Sequence, residues 1–114
     1  MKILPRYPSI TMQYYKLEKI TNLDADYRQT FRLAGHHLLL LVHEDKPRLV
    51  DNICPHAGYP MNEGLVLDGQ LRCPMHGYLF DLENGECMAS YEGPCEGIRV
   101  YELKERNGEL GVYL

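Results

Sequence analysis

The chain has 114 residues, 45% apolar and 25% charged, which suits one globular domain and excludes extended disorder. A formal net charge of −4 argues against nucleic acid or an anionic membrane as partner, because both reward basic surfaces. The longest apolar run, Leu38-Leu39-Leu40-Leu41-Val42, is far shorter than the roughly 20 residues that cross a bilayer. Pro5, Arg6 and Pro8 interrupt any signal-like start, so a cytoplasmic location is expected.

In chain order, residues 1–13 with their two prolines read as an N-terminal arm, and residues 14–114 as a single domain. Leu23–Thr30 is the best short helical or turn candidate, although its apolar spacing is poor. Phe31 and Leu33 alternate within Gln29–Leu33 as in a half-buried strand. His36–Val42 and Arg48–Ile53 flank the polar Glu44-Asp45-Lys46-Pro47 and form a hairpin pattern. Asp68-Gly69, Asn84-Gly85 and Asn107-Gly108 supply residues that tolerate positive φ, as two-residue hairpin turns require. Ile98 and Val100, then Leu110, Val112 and Leu114, show period-two alternation. Glycines and prolines spread through Cys54–Gly97 predict loops and short strands there. The expected class is all-β, antiparallel, with many short strands and two prominent loops.

Two of the four cysteines stand beside histidines at tight spacings: Cys54-Pro55-His56 and Cys73-Pro74-Met75-His76. Each arm offers one thiolate and one imidazole, and Gly64 and Asp68-Gly69 give the intervening chain places to reverse. Gly58 and Gly77 allow backbone N–H groups to approach whatever the loops hold. In a reducing compartment such a set reads as metal binding rather than as disulfides. A single tetrahedral zinc takes two Cys and two His, but its usual arrangement pairs like with like across short gaps. A two-iron cluster suits the mixed arms, with both thiolates on one iron and both imidazoles on the other.

The pattern Cys-x-His, spacer, Cys-x-x-His resembles that of Rieske-type ferredoxins. The likeness extends through Cys-Pro-His-Ala-Gly-Tyr-Pro-Met at 54–61 and Cys-Pro-Met-His-Gly-Tyr-Leu-Phe-Asp-Leu-Glu-Asn-Gly-Glu at 73–86. The resemblance implies an antiparallel β-sandwich with a two-loop cluster-binding subdomain, the loops at about 54–61 and 73–80. It implies one [2Fe–2S] cluster per chain, with Cys54 and Cys73 on the buried iron and His56 and His76 on the outer iron, near solvent. High-potential members of the family carry an extra cysteine in each loop, joined as a disulfide; Tyr59 and Met75 stand there instead. Those members also place a Ser and a Tyr after the second histidine as hydrogen-bond donors to sulfur; here the positions are Tyr78 and Phe80. Fewer donors stabilise the reduced state less, so a low potential is expected.

The implied function is a soluble one-electron carrier, a monomer, between a reductase and a terminal oxygenase or similar enzyme, without catalytic activity of its own. The alternatives are a small Rieske-like subunit of a larger oxidoreductase such as a nitrite reductase, and a structural zinc module. Tyr59, Pro60, Met61 and Met75 border the ligands and are expected to form an apolar rim that shields the site. Cys87 and Cys95 are expected to be ordinary thiols. His36, His37 and His43 read as surface or hairpin histidines, and Asp81, Glu83 and Glu86 as a solvated face.

Overall fold

The apolar run at 38–42 lies at the middle of the architecture. The computed structural model describes residues 12–56, 58–75, 77–89 and 95–114; most of the proposed N-terminal arm and His76 lie outside these residues. The strands are β1 (Tyr14–Lys19), β2 (Arg28–Leu33), β3 (His36–His43), β4 (Lys46–Asp51), β5 (Val66–Leu67), β6 (Gln70–Arg72), β7 (Leu79–Asp81), β8 (Cys87–Ala89), β9 (Val100–Tyr101), β10 (Lys104–Arg106) and β11 (Glu109–Tyr113). They form three antiparallel sheets, ordered β1-β11-β10, β2-β3-β4-β9 and β5-β6-β7-β8. The expected all-β class is what the chain adopts.

Leu38, Leu39, Leu40 and Leu41 are all buried, because β3 is covered on both faces. Side chains alternate across a strand, so Leu38 and Leu40 meet Leu17 of β1 and Val112 of β11. Leu39 and Leu41 turn the other way and pack with Leu71 of β6, Phe80 of β7, Cys54 and Cys73. Each fully buried leucine contributes about 2 kcal/mol of transfer free energy, and alternate members of the run fasten the β5–β8 sheet to the rest. An uninterrupted apolar run fits a strand buried on both faces.

The turns divide into those the dipeptides announce and those they do not. Asp68-Gly69 and Asn107-Gly108 adopt positive φ at both positions and join β5 to β6 and β10 to β11, as expected. Ala34-Gly35 and Glu44-Asp45 do the same between β2 and β3 and between β3 and β4; neither has the Asn-Gly or Asp-Gly form. The β3–β4 turn is therefore two residues long, and Lys46 and Pro47 already belong to β4.

Asn84-Gly85, expected as a two-residue turn, instead lies in a longer connection between β7 and β8, where only Gly85 has positive φ. Asp81 Oδ1 accepts from Glu83 N–H at 2.7 Å and Asn84 Oδ1 from Glu86 N–H at 2.9 Å. Those side chains shape a wider loop, and a Cβ on Gly85 would overlap the carbonyl oxygen of Ile98. Leu23–Thr30 forms no helix. A 3-10 turn at Ile20–Asn22 precedes it, Asp24 Oδ1 accepts from Asp26 N–H at 3.0 Å, and Arg28 opens β2. The side-chain bond closes a local turn in place of a helix.

Candidate metal centre

Both Cys/His arms are built on one backbone frame. Written together, residues 54–59 and 73–78 share the form Cys-Pro-x-x-Gly-Tyr. In the first, Cys54 N–H donates to Tyr59 O at 2.9 Å and Gly58 N–H to Cys54 O at 2.8 Å. In the second, Cys73 N–H donates to Tyr78 O at 2.8 Å and Gly77 N–H to Cys73 O at 3.0 Å. The bases close alike: Ile53 bridges Pro60, and Arg72 pairs with Leu79. Gly58 and Gly77 have φ of 63° and 71°, a conformation costly for residues bearing a Cβ. In the sequence the histidine falls at the third position of the first frame and the fourth of the second.

Cys54 and Cys73 are fully buried in one apolar cluster with Met61, Tyr78, Phe80 and Ile98. His56 is exposed, and its ring stacks on that of Tyr78, centroids 4.5 Å apart and planes 16° from parallel. A histidine of the first loop thus rests on an aromatic ring of the second. His56 Nε2 lies 3.1 Å from Glu96 O and 3.0 Å from Glu96 N, so a single segment offers that nitrogen an acceptor and a donor. Nδ1 is the ring nitrogen left for a metal. Inner thiolates and an outer, solvent-facing imidazole are the donor asymmetry a mixed-ligand two-iron cluster requires, and the described residues fit that group.

The first loop is braced from beneath by residues with no signal in the sequence pattern. Asn52 is fully buried. Its backbone N–H donates to His37 O at 2.8 Å, and its Oδ1 accepts from Met61 N–H at 3.1 Å. That fixes the amide orientation, so Nδ2 points at His37 Nε2, 3.0 Å away, and at Asn62 Oδ1, 3.3 Å away. His37 must therefore accept at Nε2 as a neutral imidazole, and desolvation, helped by the charge of Arg32, lowers its pKa. Arg28 of β2 donates to Asn62 O and Gly64 O at 2.9 and 2.6 Å. Gly64 is a close-approach glycine, because a Cβ there would overlap the Arg72 carbonyl oxygen. His36 places Nδ1 3.2 Å from the Tyr101 hydroxyl. His36 and His37 do lie in a hairpin strand, yet both have structural partners, which the surface reading omitted.

Of the expected apolar rim, Tyr59, Pro60 and Met75 are exposed, whereas Met61 is buried in the core. Cys87 and Cys95 are joined as a disulfide with Cα atoms 5.8 Å apart, which corrects the expectation of two thiols. The pairing arises because β8 returns alongside β7 while Ile98 N–H donates to Gly85 O at 2.8 Å. Residues remote in the turn pattern are thereby brought together.

The family model of the Rieske [2Fe–2S] domain matches residues 13–102. This chain belongs to the Rieske [2Fe–2S] domain family. The family's cofactor is a [2Fe–2S] cluster. The chain is similar to the ferredoxin component of the alkene monooxygenase system of Xanthobacter autotrophicus, 31% identical over 78% of this chain and 80% of that protein. Among solved Rieske-like structures, the Sphingomonas yanoikuyae B1 ferredoxin superposes with a TM-score of 0.76 at 16% identity, covering 90% of this chain and 99% of that one. A putative NADH-dependent nitrite reductase small subunit from Mycobacterium tuberculosis gives 0.76 at 20% identity over 91% and 96%. Other matched chains are longer, and this Rieske chain spans about 28% of their length. The structural likeness establishes the fold; the match to the alkene monooxygenase ferredoxin component extends over 80% of that protein.

Proposed function

We propose that this chain is a one-electron carrier delivering electrons from a reductase to an oxygenase, with residues 14–114 acting as one Rieske domain. Cys54 and Cys73 hold the inner iron, and His56 and His76 the outer. The observation that carries the assignment is the repeated Cys-Pro-x-x-Gly-Tyr frame with its two buried cysteines. The bound cluster supplies reversible one-electron storage. The chain's own residues do the rest. Leu39, Met61, Phe80 and Ile98 exclude water from the inner thiolates, Tyr78 steadies the His56 ring, and the exposed Tyr59, Pro60 and Met75 surround the face through which an electron would leave. No helix among the described residues is long and apolar enough to cross a membrane; a cytoplasmic location is part of the same reading.

The carrier belongs to the low-potential kind. Phe80, fully buried against the inner site, has no hydrogen to donate, and Tyr59 and Met75 cannot bridge the loops covalently. The test is visible absorption, reduced-state EPR and a redox titration of the purified protein, followed by stopped-flow electron delivery to an oxygenase. One electron per chain, a Rieske EPR spectrum and a low midpoint are expected. A colourless protein with one zinc per chain would overturn the proposal, and a respiratory-type high potential would overturn its low-potential part.

A further inference from the structure

The Cys87–Cys95 disulfide stands against a cluster ligand. A ring nitrogen of His56 and the sulfurs of Cys87 and Cys95 all lie within 4.8 Å of one another. Cys95 immediately precedes Glu96, whose backbone meets His56 Nε2. On its other side Glu96 is tied down two residues later, where Ile98 N–H donates to Gly85 O and Gly97 packs so closely that a Cβ would overlap the Gly85 carbonyl oxygen. The contact on His56 is therefore clamped at two points, one of them covalent. Cys87 and Cys95 are only partly buried and line a surface recess of about 340 Å³ together with Gly85, Gly97 and Ile98. Disulfides in a reducing compartment are usually redox-active rather than structural.

We propose that Cys87–Cys95 is a reducible thiol–disulfide site, acted on by a dithiol reductant of the thioredoxin class, that sets the electronic environment of His56 by holding Glu96 on it. This rests on the proposed function insofar as His56 binds iron. A thiolate of the reductant attacks one sulfur of the bridge, and the other leaves as a thiolate and takes a proton. The reductant's second thiol then displaces the mixed disulfide. Two electrons and two protons enter the chain, two cysteine thiols form, and the reductant becomes a disulfide. The two-electron step is separate from the one-electron cycle of the cluster.

Opening the bridge removes the covalent clamp. The Glu96 carbonyl ceases to draw on the His56 N–H, so the imidazole becomes a weaker electron donor to iron. The ring also gains water, which favours the more negative reduced state. Both effects raise the reduction potential.

The test starts with holoprotein purified without reductant, unfolded anaerobically in chelator and iodoacetamide, and weighed. Two alkylated cysteines per chain are expected, rising to four after preincubation with dithiothreitol. Dithiothreitol-treated, desalted holoprotein should then show a one-electron reduction constant up to about tenfold larger, an upward shift of up to about 59 mV, with altered EPR g-values. The Cys87→Ser/Cys95→Ser double variant should reproduce those values and ignore dithiothreitol; the treated wild type reads the same coupling without any substitution. Four alkylated cysteines before dithiothreitol would overturn the proposal, as would potential and EPR that dithiothreitol leaves unchanged. A protein without a Rieske EPR signal would sink the cluster assignment and the coupling together, a result distinct from a cluster-bearing protein with four thiols.

Discussion

The imidazole of His56 and the ring of Tyr78 lie face to face, 4.5 Å apart between centroids, across the two Cys/His loops. Such pairs contribute about 1 kcal/mol beyond the area they bury, and here the contribution falls on a histidine proposed to hold iron. Replacing Tyr78 with Leu should speed cluster loss severalfold, followed as decay of visible absorbance in excess chelator. Tyr78→Phe, which keeps the stacking face, should decay much more like wild type.

Asn52 holds the base of the first loop through bonds to His37, Met61 and Asn62. Its substitution by Leu would break a buried network and leave the His37 nitrogen without a donor, at a cost on the order of 2 kcal/mol. Chemical denaturation of the holoprotein should show a lower midpoint, and Asn52→Leu should damage stability more than any exposed rim substitution such as Tyr59→Ser.

His37 gives the fold a sensitivity to acid. Its folded pKa is lowered, chiefly by desolvation, so at mildly acidic pH the unfolded chain binds a proton that the folded chain resists. Stability is then fully present above the ordinary histidine pKa of about 6.5 and falls as the pH drops from there towards the lowered folded value. Protonated His37 would also turn a donor towards Asn52 Nδ2. Thermal denaturation across pH 7 to about 5 should show this loss, and His37→Gln, which keeps an acceptor without titrating, should flatten it.

Phe80 reports on the potential. Its replacement by Tyr places a hydroxyl in the apolar cluster that holds both cysteines. If that hydroxyl donates to a ligand sulfur, the one-electron reduction constant should rise by up to about tenfold, or about 59 mV. Redox titration of Phe80→Tyr beside wild type measures it. A shift to lower potential would refute the proposed origin of a low potential.

The candidate donors stand out because cysteine and histidine are rare and stand at tight spacings in both arms. Strands β2, β9 and β11 and two of the hairpin turns were legible because alternation and Asp-Gly or Asn-Gly pairs are local signals, whereas β1 was not anticipated. Ala34-Gly35 and Glu44-Asp45 were not, since their positive φ values are imposed by the register of β3 with its neighbours rather than by side-chain preference. Asn52 and Glu96 were invisible for a different reason: their partners come from distant strands, and a backbone contact such as that of Glu96 leaves no mark on residue type. The Cys87–Cys95 bridge was misjudged because the compartment suggested thiols, while the geometry of the β7–β8 return brings the two residues within bonding distance.

The repetition of one loop frame makes the two arms interchangeable cassettes. Because each closes on the same bonds between Cys, Gly and Tyr, a chain with its hexapeptides exchanged would keep its main-chain scaffold while swapping which arm carries the earlier histidine. Where the histidine stands in each arm is thus a matter of which position of a standard Cys, Gly and Tyr bracket carries it.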